Sequence, residues 1–223
     1  MLARGVDSAP HLSIGADEKA TIFALLDQYR EMGVKRIVAL RGDVPSGLGR
    51  ARNTNNAESL VRWIREHSGD YFHLEVAAYP ETHPDAASPE DDLAFFARKV
   101  EAGADSAITQ YFYNPHAFYD FAERMAAARL DIPLIPGIMP ITNFEGIVRF
   151  SKNCGADVPR WILKRLESLQ DDDAGLRAFG IDVVTRLSEE LLGWGAAGLH
   201  FYTLNRWGAT NAVCRNLKLD QRE

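Results

Sequence analysis

Cysteine is scarce in this chain: its 223 residues hold two, Cys154 and Cys214. They lie far apart and form neither a redox pair nor a thiolate metal cluster, so both are read as part-buried thiols in a reducing compartment, the cytoplasm. Apolar runs long enough to span a bilayer are missing, and Met1 to Lys19 lack the apolar core of a signal peptide. Positive charge is in short supply, with 25 Lys and Arg against 31 Asp and Glu and a net charge of -6. That excludes nonspecific nucleic-acid binding, which needs a basic field, but leaves room for a local cationic cluster that grips an anionic cofactor. No Gly-x-Gly-x-x-Gly turn follows any strand-like run; Gly42 to Gly49 has the wrong spacing and precedes no immediate helix. There is no Ser-His-Asp order, no cysteine nucleophile, no His-Glu-x-x-His helix and no lysine at a strand tip, which argues against acyl transfer, zinc hydrolysis and Schiff-base chemistry. With neither nucleophile nor metal cluster, the hard chemistry falls to a bound cofactor.

What is present is an alternation of strand and helix patterns. Strands are expected at Ala9 to Ser13, Arg36 to Leu40, Phe72 to Tyr79, Ser106 to Phe112, Leu134 to Ile138 and Gly198 to Leu204. Helices are expected between them. The first is capped by Asp17 and ended by Gly33; the second is marked by Leu60, Val61, Trp63 and Ile64. Ser88-Pro89-Glu90-Asp91 is a strong helix start, with a capping hydroxyl, proline in the first turn and acids matching the helix dipole. Asn114-Pro115 opens the next helix and Asn143 caps a short one. Pro159 opens another, Asp171-Asp172-Asp173 starts a long one, and Ala209 to Leu217 closes the chain. The unit of strand, polar tip, helix and glycine recurs six times. Parallel strands need crossover helices, so the fold is α/β. Nothing in the composition divides the chain, and residues 1–223 are read as a single domain.

The strand tips carry the polar chemistry. Arg41-Gly42-Asp43 ends the second strand, Tyr79-Pro80-Glu81-Thr82-His83-Pro84 follows the third, Thr109-Gln110 ends the fourth and Thr203-Leu204-Asn205-Arg206 the sixth. In parallel α/β proteins that end of the sheet binds ligands. Taken singly, each residue has a plain alternative. Asp43 is a turn former before Pro45, Asp92 compensates a helix dipole, and Arg98-Lys99 form a solvated helix face. His11 ends the first strand, either at the ligand end or buried and satisfied. His83 lies in a loop, and Gln110 can read a heterocycle through paired donor and acceptor bonds.

Taken together, these motifs, with Ile135-Pro136-Gly137-Ile138 and His200-Phe201-Tyr202-Thr203-Leu204-Asn205-Arg206, resemble the bacterial methylenetetrahydrofolate reductase family from about Ala9 to Leu217. The resemblance implies a TIM-type (β/α)8 barrel that holds FAD, takes hydride from NADH or NADPH, and reduces 5,10-methylenetetrahydrofolate to the 5-methyl form. It places His11, Arg41, Gly42, Asp43, Ala57, Tyr79, His83, Asp92, Arg98 and Lys99 at FAD-contacting positions, with Arg98 and Lys99 on the pyrophosphate. Asp43 is the implied catalytic residue beside flavin and pterin; its charge disfavours the anionic reduced flavin and so makes it a better hydride donor. Gln110, Phe150, Leu204 and Arg206 are the implied substrate contacts, and no metal is implied. The chain departs from the family pattern at Asn56 (Tyr), Phe95 (Asn) and Gly146 (Gln).

By the same resemblance the strand at Ala9, with eight residues before it, corresponds to the family's third. About six of eight βα units are then expected: an incomplete barrel, truncated at its N-terminus, without the first-strand glutamate that serves the family as general acid. Glu75 and Glu81 are the nearest acids in context, one read as mid-strand and the other as part of its own loop motif. Open sheet edges make a homo-oligomer the expected state. A flavin- or folate-binding protein without catalysis is the alternative function.

Overall fold

The computed structural model describes residues 5–15, 18–41 and 55–219. The catalytic expectation for Asp43, the FAD contact expected of Gly42 and the cap expected of Asp17 fall outside them. Six parallel strands and eight helices alternate among the described residues: β1 (His11–Ile14), α1 (Lys19–Glu31), β2 (Arg36–Arg41), α2 (Ala57–Ser68), β3 (His73–Ala78), α3 (Pro89–Glu101), β4 (Ser106–Tyr111), α4 (Pro115–Ala127), β5 (Leu134–Ile138), α5 (Phe144–Cys154), α6 (Arg160–Glu167), α7 (Asp173–Trp194), β6 (His200–Phe201) and α8 (Trp207–Asn216). The strands form one sheet in the order β1-β2-β3-β4-β5-β6, with β1 and β6 at its ends. This is the α/β fold of six βα units expected from the sequence.

The chain divides into two compact units. The first comprises Met1–Ala78, Leu93–Ala107 and Leu130–Pro133; the second comprises Tyr79–Asp92, Ile108–Arg129 and Leu134–Glu223. In the first, β1 pairs with β2 and β2 with β3, both parallel. Leu74, Val76 and Ala78 alternate as the buried face of β3. Leu60, Val61 and Ile64 give α2 its apolar stripe. Asn56 caps α2 by accepting the Ser59 amide at 2.9 Å.

In the second unit, β5 pairs with β6 in parallel. A core of aromatic and branched side chains includes Phe112, Phe118, Ile138, Ile162, Val184 and Leu191. Asn114, Asn143 and Asp172 each cap a helix through a side-chain oxygen. Gly137 is a glycine for want of room: a Cβ there would stand 2.1 Å from the Thr109 carbonyl oxygen and 2.7 Å from the Tyr202 ring.

Three details differ from the sequence expectation. His11 opens β1 rather than ending it, because the strand runs on to Ile14 and the alternation that buries Leu12 and Ile14 leaves His11 exposed. The N-cap of α1 is Glu18, whose side chain makes no capping bond. Strand β6 has two residues rather than the expected run to Leu204. Tyr202 still donates to the Ile138 carbonyl at 2.8 Å, but Leu204 and Asn205 turn left-handed at φ 48° and 60° and end the extended chain, so α8 starts at Trp207.

Candidate functional site

In the second unit the 79–84 loop follows the last residue of β3, and Gln110 lies next to the last residue of β4. A small cleft, roomy enough for water but not for a ring system, is walled by the Tyr79-Pro80-Glu81-Thr82 loop, by Gln110 and Tyr111 of β4, and by Cys154, Gly155 and Ala156 at the end of α5. Thr82 has φ 73°, an unfavourable left-handed conformation for a β-branched residue that persists only where its surroundings enforce it. The enforcing contacts are visible. Glu81 Oε2 accepts the Asp157 amide at 2.8 Å, and the His83 amide donates to Asp92 Oδ2 at 3.0 Å. Pro84 packs against Gly155 so closely that a Cβ on the glycine would lie 2.7 Å from Pro84 Cγ.

Within this loop Tyr79 and His83 meet edge to face, their ring centroids 4.5 Å apart. The Asp85 amide donates to His83 Nδ1 at 3.0 Å, so in neutral His83 the ring proton belongs on Nε2. Gln110 is half-buried, and its Oε1 accepts the amide of Tyr111 at 3.0 Å, which fixes the orientation of the carboxamide.

Burial dominates the electrostatics of the cleft. The Glu81 carboxyl is pushed up to about 7, first by desolvation, with the Asp157 carboxylate adding to the rise and the Asp157 amide opposing it. The Tyr111 phenol is raised well above its usual range by burial and by its Cys154 neighbour. It shares a hydrogen bond with Ser151 Oγ at 3.0 Å and receives the Cys154 thiol at 3.3 Å. Burial likewise raises Tyr202, whose hydroxyl donates to the Thr109 carbonyl at 2.9 Å. The Tyr111 and Tyr202 phenols are therefore neutral across the physiological range, and the Glu81 carboxyl stands at its boundary.

The remaining substrate-contact candidates lie on the same unit. Phe150 is exposed on α5, with Arg149 over its ring. Leu204 is exposed in its left-handed turn, and Arg206 is the exposed N-cap residue of α8. Asp92 is buried in the first turn of α3.

The first unit holds the other cofactor candidates. His11 and Arg41 are exposed at opposite ends of β1 and β2, and Ala57 is half-buried at the start of α2. Arg98 and Lys99 lie in the last turn of α3. Arg98 reaches Glu58 at 3.3 Å and covers the exposed Phe95 ring at 4.0 Å; Lys99 donates to the Ala77 carbonyl.

Two features escaped the sequence reading. One is the hydroxyl and thiol chain from Tyr111 through Ser151 and Cys154; the spacing of Ser151 and Cys154 on one helix face was its only signal. The other is Arg65, which donates to Gly103 O, Gly69 O, Phe72 O and Asp105 Oδ2 at 2.6 to 3.1 Å and left no mark in the sequence beyond a charged helix position. Among the described residues no group of His, Cys, Asp and Glu is arranged to hold a metal ion, and no helix is long and apolar enough to cross a membrane.

Parallel βα units with polar loops at the strand C-termini define a barrel-type α/β enzyme scaffold. A protein from Clostridium thermocellum described as binding two copies of 5-methyl-5,6,7,8-tetrahydrofolic acid shares this fold, with TM-score 0.62 at 16% identity over 95% of this chain and 72% of that one. The family follows from sequence: the methylenetetrahydrofolate reductase model matches residues 2–218, and the chain belongs to that family of oxidoreductases. It is 35% identical over 213 residues to the 5,10-methylenetetrahydrofolate reductase of Escherichia coli strain K12, covering 96% of this chain and 71% of that protein. It is also 35% identical over 227 residues to methylenetetrahydrofolate reductase (NADH) 1 of Arabidopsis thaliana, covering 96% of this chain and 38% of that one.

Proposed function

We propose that this protein reduces 5,10-methylenetetrahydrofolate to 5-methyltetrahydrofolate with electrons from NADH or NADPH, using a bound FAD. The observation that carries the reading is the position of Gln110: a half-buried carboxamide, oriented by its own backbone, at the ligand end of β4 in a chain of this family. An oriented amide offers a donor and an acceptor to one edge of a pterin ring.

The residues present suit FAD by their donor chemistry. In the first unit Arg98 and Lys99 are cations of the kind a pyrophosphate takes; in the second, Tyr79 and His83 present aromatic and imidazole surfaces, and Asp92 steadies the His83 backbone. Bound flavin would supply the hydride relay between nicotinamide and folate. The chain's own residues bind and orient the reactants. Gln110 and Arg206 bind the folate, and Phe150 and Leu204 offer exposed apolar surface for stacking.

The visible absorption spectrum of the purified chain tests this reading. A flavin band that bleaches anaerobically with NADH or NADPH and returns on adding methylenetetrahydrofolate is the expected result. A flavin band that folate does not restore would leave a binding protein, and a colourless protein that takes up no added FAD would overturn the reading.

A further inference from the structure

The 79–84 loop carries two of the proposed flavin contacts in a backbone that is not relaxed, Thr82 standing at φ 73°. Three attachments hold it: Pro84 on Gly155, the His83 amide on Asp92, and Glu81 on the Asp157 amide. The first two are fixed packing and a short-range bond. The third crosses to the turn between α5 and α6 and rests on a group that can change charge.

We infer that Glu81 is a positioning residue, which docks the Tyr79–His83 loop on the α5–α6 turn and makes that docking weaken as pH rises. The inference rests on the proposed flavin site only for its consequence; the docking itself belongs to the cofactor-free chain. One carboxyl oxygen accepts the Asp157 amide whether Glu81 is protonated or not. What changes is the charge placed in the cleft. Facing it are the Asp157 carboxylate from the α5–α6 turn, the neutral Gln110 amide and Tyr111 phenol from β4, and the Cys154 thiol from α5; Tyr79 and His83 lie on its own loop. No Lys or Arg pairs with Glu81 among the described residues, whereas a second carboxylate stands beside it.

The sign follows from linkage. The docked carboxyl titrates near 7 against an ordinary value of 4.5. The docked loop therefore binds more protons than the released loop between those values. Its stability is fully present below about 4.5, falls through this window and is lost above about 7. The strained φ of Thr82 adds to the tendency to release.

The experiment is hydrogen exchange at the Asp157 amide in the cofactor-free chain, expressed as a protection factor so that the intrinsic pH dependence of exchange is removed. Between pH 5 and pH 7 the protection of the wild type should fall about tenfold, and that of Glu81→Gln should stay flat, because glutamine keeps the acceptor and removes the titration. Glu81→Ala should lose the protection at every pH. Equal protection in wild type and Glu81→Ala, or a wild-type profile as flat as that of Glu81→Gln, would overturn the inference. A second arm measures FAD affinity at the same pH values. Weakening in the wild type but not in Glu81→Gln ties the docking to the cofactor. Failure of every variant to take up FAD would sink the proposed function while the exchange data still decide the role of Glu81.

Discussion

The ion pairs of the first unit and the cleft of the second treat ionisable groups in opposite ways. In the first, charges are matched. Arg65 meets Asp105 at 2.6 Å, Arg36 meets Glu75 at 2.9 Å and Arg98 meets Glu58 at 3.3 Å. In the second, Glu81 has no opposite charge paired with it among the described residues, and Glu81, Tyr111 and Tyr202 are all raised, with desolvation as the leading cause. A matched pair is insensitive to pH near neutrality and fixes structure. A desolvated lone acid responds to pH and to whatever binds next to it. The difference separates a region that paired charge stabilises from one where burial holds a carboxyl close to neutrality.

That contrast can be broken most severely at Arg65. Arg65→Ala removes hydrogen bonds to three carbonyls and the ion pair with Asp105, whose carboxylate keeps the Leu74 amide, so urea unfolding should show a loss of about 3–4 kcal/mol. Next comes a change that leaves charge untouched in the second unit. Gly137→Ala drives a methyl into the Thr109 carbonyl and should cost about 2–3 kcal/mol by the same measurement. Glu81→Gln sharpens the comparison instead of breaking it. The variant should match wild type near pH 4, where the acid is already protonated. Above pH 7 it should be the more stable by about 1–2 kcal/mol, part exposure of the group limiting the gain. Thermal melts across that range would show whether the curves diverge. The smallest effect is expected at Arg98→Ala, below about 1 kcal/mol, since its partnership with Glu58 is partly exposed. FAD binding, read by fluorescence, should suffer far more than stability there.

The six βα units were legible in the sequence because each strand is a short apolar run ended by polar residues and several helices open on a capping side chain. Ser88 before Pro89 and the asparagines at 114 and 143 mark helix starts that the structure reproduces. Strand β6 was overread because Phe201 to Leu204 looks extended in sequence. Only the left-handed turn at Leu204 and Asn205 shows where pairing stops. The position of His11 was reversed for a similar reason: the alternation it belongs to starts at His11, not before it. In the site, the residue types were legible and their couplings were not. Glu81 reads as one acid in a loop motif; its raised titration comes from burial against α5 and Asp157, residues more than seventy positions away in the chain. Arg65 carries no signal of its own in the sequence, and its role depends on carbonyls contributed by other segments of its unit.

The most direct test of the account is a single-turnover assay. The FAD-loaded chain is reduced by NADH or NADPH, mixed anaerobically with 5,10-methylenetetrahydrofolate, and the folate products are separated. The account predicts 5-methyltetrahydrofolate in proportion to the flavin reoxidised. Reduced flavin that persists in the presence of folate, with no methyl product formed, would contradict it.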